Sequence, residues 1–312
     1  MVIEDTSSDA AKGLAAIKDE VENKGVLAYI PDDPSTDNAL VSYSQSQGVA
    51  MIEAYAAYPI WNTTPGWFAL GMQSFPDSTL AALKIVQAAG AKSVAAVVCS
   101  EVAACGAVDP VLTKNAAPDG IRYDGVLKVS QSAPDYTAPC LALKAKGSAM
   151  LDVALAPAAI TKFAADCVAQ GYSPSYFIPY HAFGPALATI PNFSSLAIEP
   201  TMPWFADVPA MANFRAAMTA DGDLAKADET SMYLWTSLEA FRAAAANLGD
   251  SPTRQSFMQA MYQLKNFDEG GLIPPVTFTA GQPSPEIKCY FVAGVSGGAF
   301  TLPQGSATKC LS

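Results

Sequence analysis

The chain has 312 residues, 51% of them apolar and only 15% charged, and carries a net charge of −11. Its length is generous for one hydrophobic core and comfortable for two. No stretch clusters Lys and Arg, which excludes nucleic acid as a partner, and no apolar run reaches the roughly 18 residues that a membrane-spanning helix needs.

The first apolar segment, residues 2–6, reads as a strand. A helical run over 9–23 and a strand over 26–30 follow it. No leader peptide is read at Met1, because Val-Ile-Glu-Asp follows it without a basic start or an apolar core. Short β-branched or apolar runs bounded by Gly, Pro or polar residues predict further strands over 49–52, 67–70, 93–98, 125–129, 150–155, 176–178 and 196–198. Helical runs separate them. One spans 78–89 behind Asp77, a candidate N-cap, and stops at Gly90; another spans 158–170 and stops at Gly171. Strand and helix in alternation imply right-handed βαβ units and parallel sheets. After residue 208 the pattern changes to three consecutive helices over 209–220, 229–248 and 253–264, then to a β-rich tail over 276–278, 287–293 and 299–302. Pro-rich stretches at 31–34, 200–209, 274–275 and 283–285 are candidate loops and hinge crossings.

Catalytic signatures are missing. His181 is the only histidine, so Ser-His-Asp and Cys-His arrangements have little to draw on. No GxSxG, P-loop or post-strand GxGxxG occurs. The acidic pairs Asp32-Asp33 and Asp268-Glu269 fall in loops and read as solvated charge. Six cysteines without a CxxC, beside a single histidine, do not make a zinc site. They are either buried thiols or disulfides, and the even count favours disulfides and an extracytoplasmic protein. No metal or other cofactor is implied.

Several segments, in order and spacing, resemble the leucine/isoleucine/valine-binding type of periplasmic binding protein. They are Val-Ile-Glu-Asp-Thr-Ser-Ser-Asp-Ala-Ala-Lys at 2–12, Gly25-Val26-Leu27-Ala28-Tyr29-Ile30-Pro31, Trp67-Phe68-Ala69-Leu70 ahead of Pro76-Asp77, Ala89-Gly90-Ala91-Lys92-Ser93-Val94-Ala95, Asp135-Tyr136-Thr137 and Phe267-Asp268-Glu269-Gly270-Gly271. The resemblance implies an α/β fold of two Rossmann-like, doubly wound lobes joined by three hinge crossings. Lobe 1 would hold 1–76 and 206–266, and lobe 2 would hold 77–205 and 267–312. The family's first strand and helix of lobe 1 have no counterpart in the sequence, and the natural protein is expected to carry them upstream. The resemblance also pairs the cysteines as Cys99–Cys105, Cys140–Cys167 and Cys289–Cys310. It implies a monomeric, non-enzymatic solute receptor of an ABC-type importer, in the periplasm or lipid-anchored or secreted, delivering a small molecule to a membrane permease. A ligand-sensing module of a regulatory system, or a branched-chain amino acid receptor, is the alternative.

In such a receptor the strand-end loops hold the ligand. Ser35 and Thr36 would supply hydroxyls there, or simply cap the following helix. Tyr55 stands where amino-acid binders have a small residue, and it suits an aromatic or alicyclic ligand unless it packs on the hinge. Cys105 reads as structural. His181 replaces the acidic residue that would pair with an ammonium, with Tyr180 and Phe183 beside it. Trp204 and Phe205 line the pocket or pack the hinge. None of the four arginines (Arg122, Arg215, Arg242, Arg254) falls in these loops. A neutral or monocarboxylate, mostly apolar ligand is therefore expected rather than a dianion.

Overall fold

Consecutive side chains of a strand point to opposite faces of a sheet, so a strand buried along its whole length needs cover on both sides. Helices supply that cover in the computed structural model, which describes residues 1–71, 75–101, 103–246 and 248–311. Among these the strands are β1 (Ala28–Tyr29), β2 (Ala50–Glu53), β3 (Trp67–Ala69), β4 (Ser93–Cys99), β5 (Arg122–Val129), β6 (Met150–Ala154), β7 (Ser175–Ile178), β8 (Ser194–Glu199), β9 (Cys289–Ser296), β10 (Ala299–Thr301) and β11 (Lys309–Cys310). The helices are α1 (Ala10–Glu22), α2 (Asp37–Gln47), α3 (Phe75–Ala88), α4 (Val108–Asn115), α5 (Thr137–Lys146), α6 (Pro157–Ala169), α7 (Ala212–Ala220), α8 (Glu229–Ala245) and α9 (Arg254–Tyr262). The chain divides into two compact units, Met1–Ser74 with Pro200–Tyr290 and Phe75–Glu199 with Phe291–Ser312. The divisions fall at 74/75, 199/200 and 290/291, whereas the sequence places its crossings at 76/77, 205/206 and 266/267.

The first unit is built on a parallel sheet of order β1-β2-β3. Met51, Trp67 and Ala69 face α1 and α2, where Ile17, Val21 and Leu40 complete one core. Phe68, between Trp67 and Ala69, points the other way and meets Tyr262 of α9 and Phe278 edge-on, with centroids 5.1 and 5.0 Å apart. Side chains cap the helix starts. Asp9 accepts from the Ala11 and Lys12 amides at α1, and capping boxes pair Asp228 with Ser231 at α8 and Thr253 with Ser256 at α9. β3 finds a surrogate neighbour in Ser284, whose hydroxyl donates to the Trp67 carbonyl at 2.7 Å and accepts from the Ala69 amide at 2.9 Å.

The second unit carries a sheet of order β10-β9-β8-β7-β6-β4-β5, with β11 on β9. Strands β4 to β8 pair in parallel, while β8 with β9 and β9 with β10 are antiparallel. The parallel part, β5-β4-β6-β7-β8, is the doubly wound order, and the winding reverses between β4 and β6. β4 is buried at every residue. Disulfides join Cys99 to Cys105 and Cys140 to Cys167. Cys289 and Cys310 are also disulfide-bonded, so no described cysteine is free.

Four expectations need correcting. Residues 2–6 form no strand, and Ile3 is 80% exposed; a strand takes its hydrogen bonds from a neighbour, and among the described residues no strand reaches this segment. Residues 276–278 make only an isolated bridge, Val276 with Phe267. Asp77 lies inside the first turn of α3 rather than capping it. The run at 209–220 opens as a 3₁₀ turn, Pro209–Met211, before α7 begins. Helix α4 went unforeseen because eight residues are too few to show a periodic apolar face.

Candidate functional site

In the first unit the loops after β1 and β2 are held together by one carboxylate. Glu53, 2% exposed at the end of β2, accepts from the Asp32 amide and the Tyr55 amide, both at 2.8 Å. This clamp sets Asp32 in the left-handed region (φ 43°). Burial drives the Glu53 and Asp32 carboxyls upward; Asp32 adds to the rise at Glu53, and Asp33 to the rise at Asp32. Tyr55 is half-buried, and its ring stacks on Tyr233 of α8 at 5.7 Å and 25°. One turn further along α8, the Ser237 hydroxyl accepts from the Ala54 amide at 3.2 Å. Glu229, in the first turn of α8, is pushed up to about 7 by burial. The strand ends of this unit therefore present an aromatic pair and several carboxyls whose burial favours the neutral form.

The hydroxyl pair is divided in its roles. Thr36 is 1% exposed and donates to the Asp33 carbonyl at 2.9 Å. Its side chain packs so closely on α1 that a Cβ at Gly13 would lie 2.9 Å away. Ser35 is exposed and donates to the Asp33 carboxylate. Trp204 is 7% exposed, edge-on to Phe205 at 5.1 Å. Asp37 accepts from the Trp61 indole at 2.8 Å, and burial pushes it up to about 7.

In the second unit, side chains tie together the loops at the reversal of the winding. Glu101, after β4, accepts from the Ser130 hydroxyl at 2.6 Å and the Gln131 amide at 2.9 Å. The Gln131 side chain accepts from the Ala156 amide at 2.6 Å, at the start of α6. The Cys99–Cys105 disulfide closes the loop after β4. His181 sits on the 3₁₀ turn Tyr180–Ala182 that follows β7. Burial pushes its imidazole down to about 4, so the ring is neutral at pH 7. Tyr180 lies edge-on to it at 5.7 Å. Tyr180 and Phe183 are themselves 2% and 0% exposed, and Phe183 meets Phe300 at 5.8 Å.

The structure thus brings Tyr180 to His181, and brings Tyr55 to Tyr233 and Glu53, which the sequence did not single out, and to Asp32, which it read as solvated charge and which is partly buried. Tyr233 and Ser237 share one helical face behind the Asp228 cap, a signal that a periodicity reading contains without saying which strand end it meets. All four arginines are engaged elsewhere: Arg122 with Asp124 at 2.6 Å, Arg215 with Asp207 at 2.7 Å, Arg242 with Glu239 at 2.5 Å, and Arg254 with the Val21 carbonyl at 3.5 Å. Among the described residues no group of three His, Cys, Asp or Glu is placed to hold a metal ion, and no helix is long and apolar enough to cross a membrane.

Comparison with known proteins agrees with this architecture. A family model described as "Periplasmic binding protein" matches residues 1–299. No curated protein matched the sequence. Among solved structures, a branched-chain amino acid ABC transporter protein from Thermus thermophilus with bound valine is similar, with a TM-score of 0.77, 15% identity, and coverage of 100% of this chain and 85% of that one. A solute-binding protein of an ABC transporter from R. palustris, in complex with benzoate, gives a TM-score of 0.76 and 14% identity over 99% of this chain and 86% of that one. A fatty acid ABC transporter substrate-binding protein from Thermomonospora curvata gives 0.73 and 15% over 100% and 80%. These neighbours share the two-lobed type I periplasmic binding protein fold.

Proposed function

The chain belongs to the periplasmic binding protein family, and on that premise we propose that it is the extracytoplasmic solute-binding protein of an ABC-type importer, specific for a small, mostly apolar ligand with an aromatic or alicyclic body. It acts as a monomer that hands its ligand to a membrane permease, and it catalyses no reaction. The observation that carries this reading is the Tyr55–Tyr233 stack, fixed at the end of β2 by the Glu53 clamp. The half-buried Tyr55 ring, backed by the buried Tyr233 ring, offers a flat apolar face, and an aromatic or alicyclic ring fits it better than a branched alkyl chain does. The ligand is neutral or a monocarboxylate. With every arginine paired elsewhere, a dianion has no bidentate guanidinium to meet it. Within the first unit a monocarboxylate is accepted through an acid-to-carboxylate hydrogen bond from Asp32, whose carboxyl burial pushes up to about 7, and its affinity rises as pH falls.

The test is a thermal-shift screen of aromatic and alicyclic acids, with their amides as neutral counterparts and with leucine and valine alongside. Ring compounds are expected to raise Tm, with Tyr55→Ala abolishing the shift. Stabilisation by leucine or valine alone overturns the ligand class. Tyr55→Ala leaving a ring compound's shift intact removes the stack from the site.

A further inference from the structure

Glu269 lies in a loop and its neighbour Asp268 is acidic, so solvated charge is the natural expectation for both. The structure separates them. Asp268 accepts from the Gly270 amide with its side chain and from the Gly271 and Leu272 amides with its carbonyl, all at 2.9 Å. This tight turn holds Glu269 in the left-handed region (φ 54°), a conformation that costs a non-glycine residue. It turns the carboxyl inward, where both oxygens are buried and neither has a hydrogen-bond partner.

What Glu269 meets there is a cavity of about 180 Å³ within the first unit, walled by Trp235, Phe267 and Leu272 and rimmed by Glu239 and Arg242. Trp235, Glu239 and Arg242 recur at helical spacing on one face of α8. Tyr233 and Ser237, which reach the β2 end, lie on the other face. Phe214 of α7 steadies the Trp235 ring edge-on at 5.6 Å. The guanidinium of Arg242 is already paired with Glu239, through Nη2 at 2.5 Å and Nε at 3.0 Å, so it does not supply the missing partner.

A cavity with aromatic walls, a polar rim that includes Asn213, and one unsatisfied carboxyl matches the chemistry of a small organic cation: the charge meets the acid, and the alkyl body and the cation face the rings. We propose that this cavity is a second binding site, separate from the solute site, that takes a small primary ammonium with Glu269 as counter-ion and Trp235 and Phe267 as walls. Burial holds the Glu269 carboxyl protonated, its pKa pushed up to about 9. An arriving ammonium favours the carboxylate, so binding at neutral pH releases a proton from the carboxyl to the buffer.

The proposal does not rest on the solute-binding reading. Its test is calorimetric titration of the whole chain with methylammonium, n-butylammonium and benzylammonium chlorides, with butan-1-ol as the uncharged analogue. At least one ammonium is expected to bind and the alcohol not. Glu269→Gln should lower the affinity at least tenfold, and Trp235→Leu should lower it too. The apparent enthalpy should differ between phosphate and HEPES, neither of which is a primary ammonium, and this reads the proton directly. Glu269→Gln removes an unpaired acid and should melt no lower than wild type, so loss of binding there is not loss of fold. Absence of binding by all three ammonium ions, equal affinity for butanol, or a Glu269→Gln variant that retains its affinity each overturns the proposal.

Discussion

Asp152→Asn should stabilise the protein in a pH-dependent way, and the size of the effect follows from where the residue sits. Asp152 is the third residue of β6, between Ala96 of β4 and Phe177 of β7 in register, and is only 4% exposed. Its Oδ2 is buried without a hydrogen-bond partner. Burial alone pushes its carboxyl from 3.8 up to about 7. The folded chain therefore keeps a proton that the unfolded chain loses above pH 3.8. Between 3.8 and about 7 the folded state binds more protons, so wild-type stability falls as pH rises, then levels off. At about 1.4 kcal/mol per pH unit, the gap amounts to about 4 kcal/mol. Asn titrates no proton, so the variant escapes this loss while still burying one polar amide. The stability difference between variant and wild type should be near zero at pH 4 and grow to roughly 2–4 kcal/mol above pH 7. Urea midpoints measured across that range, with the other carboxyls cancelling in the difference, read it directly. A difference that stays flat with pH, or an Asn variant less stable than wild type at pH 8, refutes the reasoning.

Three further sets of substitutions probe the frame. Removing the Cys140–Cys167 disulfide with paired alanines should cost about 3.6 kcal/mol and removing Cys99–Cys105 about 2.2, from loop separations of 27 and 6 residues. Equal losses in urea unfolding would count against a loop-entropy origin. In Gly71→Ala the new Cβ would lie 2.4 Å from the Pro200 ring and 3.0 Å from the Ala54 carbonyl, with no flexible side chain to yield, so a loss of about 1–3 kcal/mol is expected. Gly106→Ala, with nothing within 4 Å, is the control, and thermal melts that rank the two together would contradict the packing. Ser284→Ala strips β3 of both its surrogate hydrogen bonds and should cost roughly 2–4 kcal/mol, measured by urea denaturation; a neutral result would mean that water replaces the hydroxyl.

What burial imposes locally is legible in the sequence. A strand with helices on both faces reads as an apolar run, and an amphipathic helix repeats its apolar face, so β2, β4, β6, α1, α6 and α8 were legible within a few residues. Their alternation dictated parallel, doubly wound sheets, and the even number of cysteines pointed to disulfides. What tertiary structure alone decided was which residues meet. The Ala54 amide finds Ser237 across 183 positions of chain, and Ala69 finds Ser284 across 215. Residues 2–6 carry the pattern of a strand, yet a ladder needs a neighbour and among the described residues none arrives. Asp268 and Glu269 are adjacent acids, but the turn points one at backbone amides and buries the other without a hydrogen-bond partner. Periodicity is a property of a window, set by one buried face. Partner, burial and protonation belong to the closed chain, because segments far apart in sequence create the low-dielectric surroundings that set them.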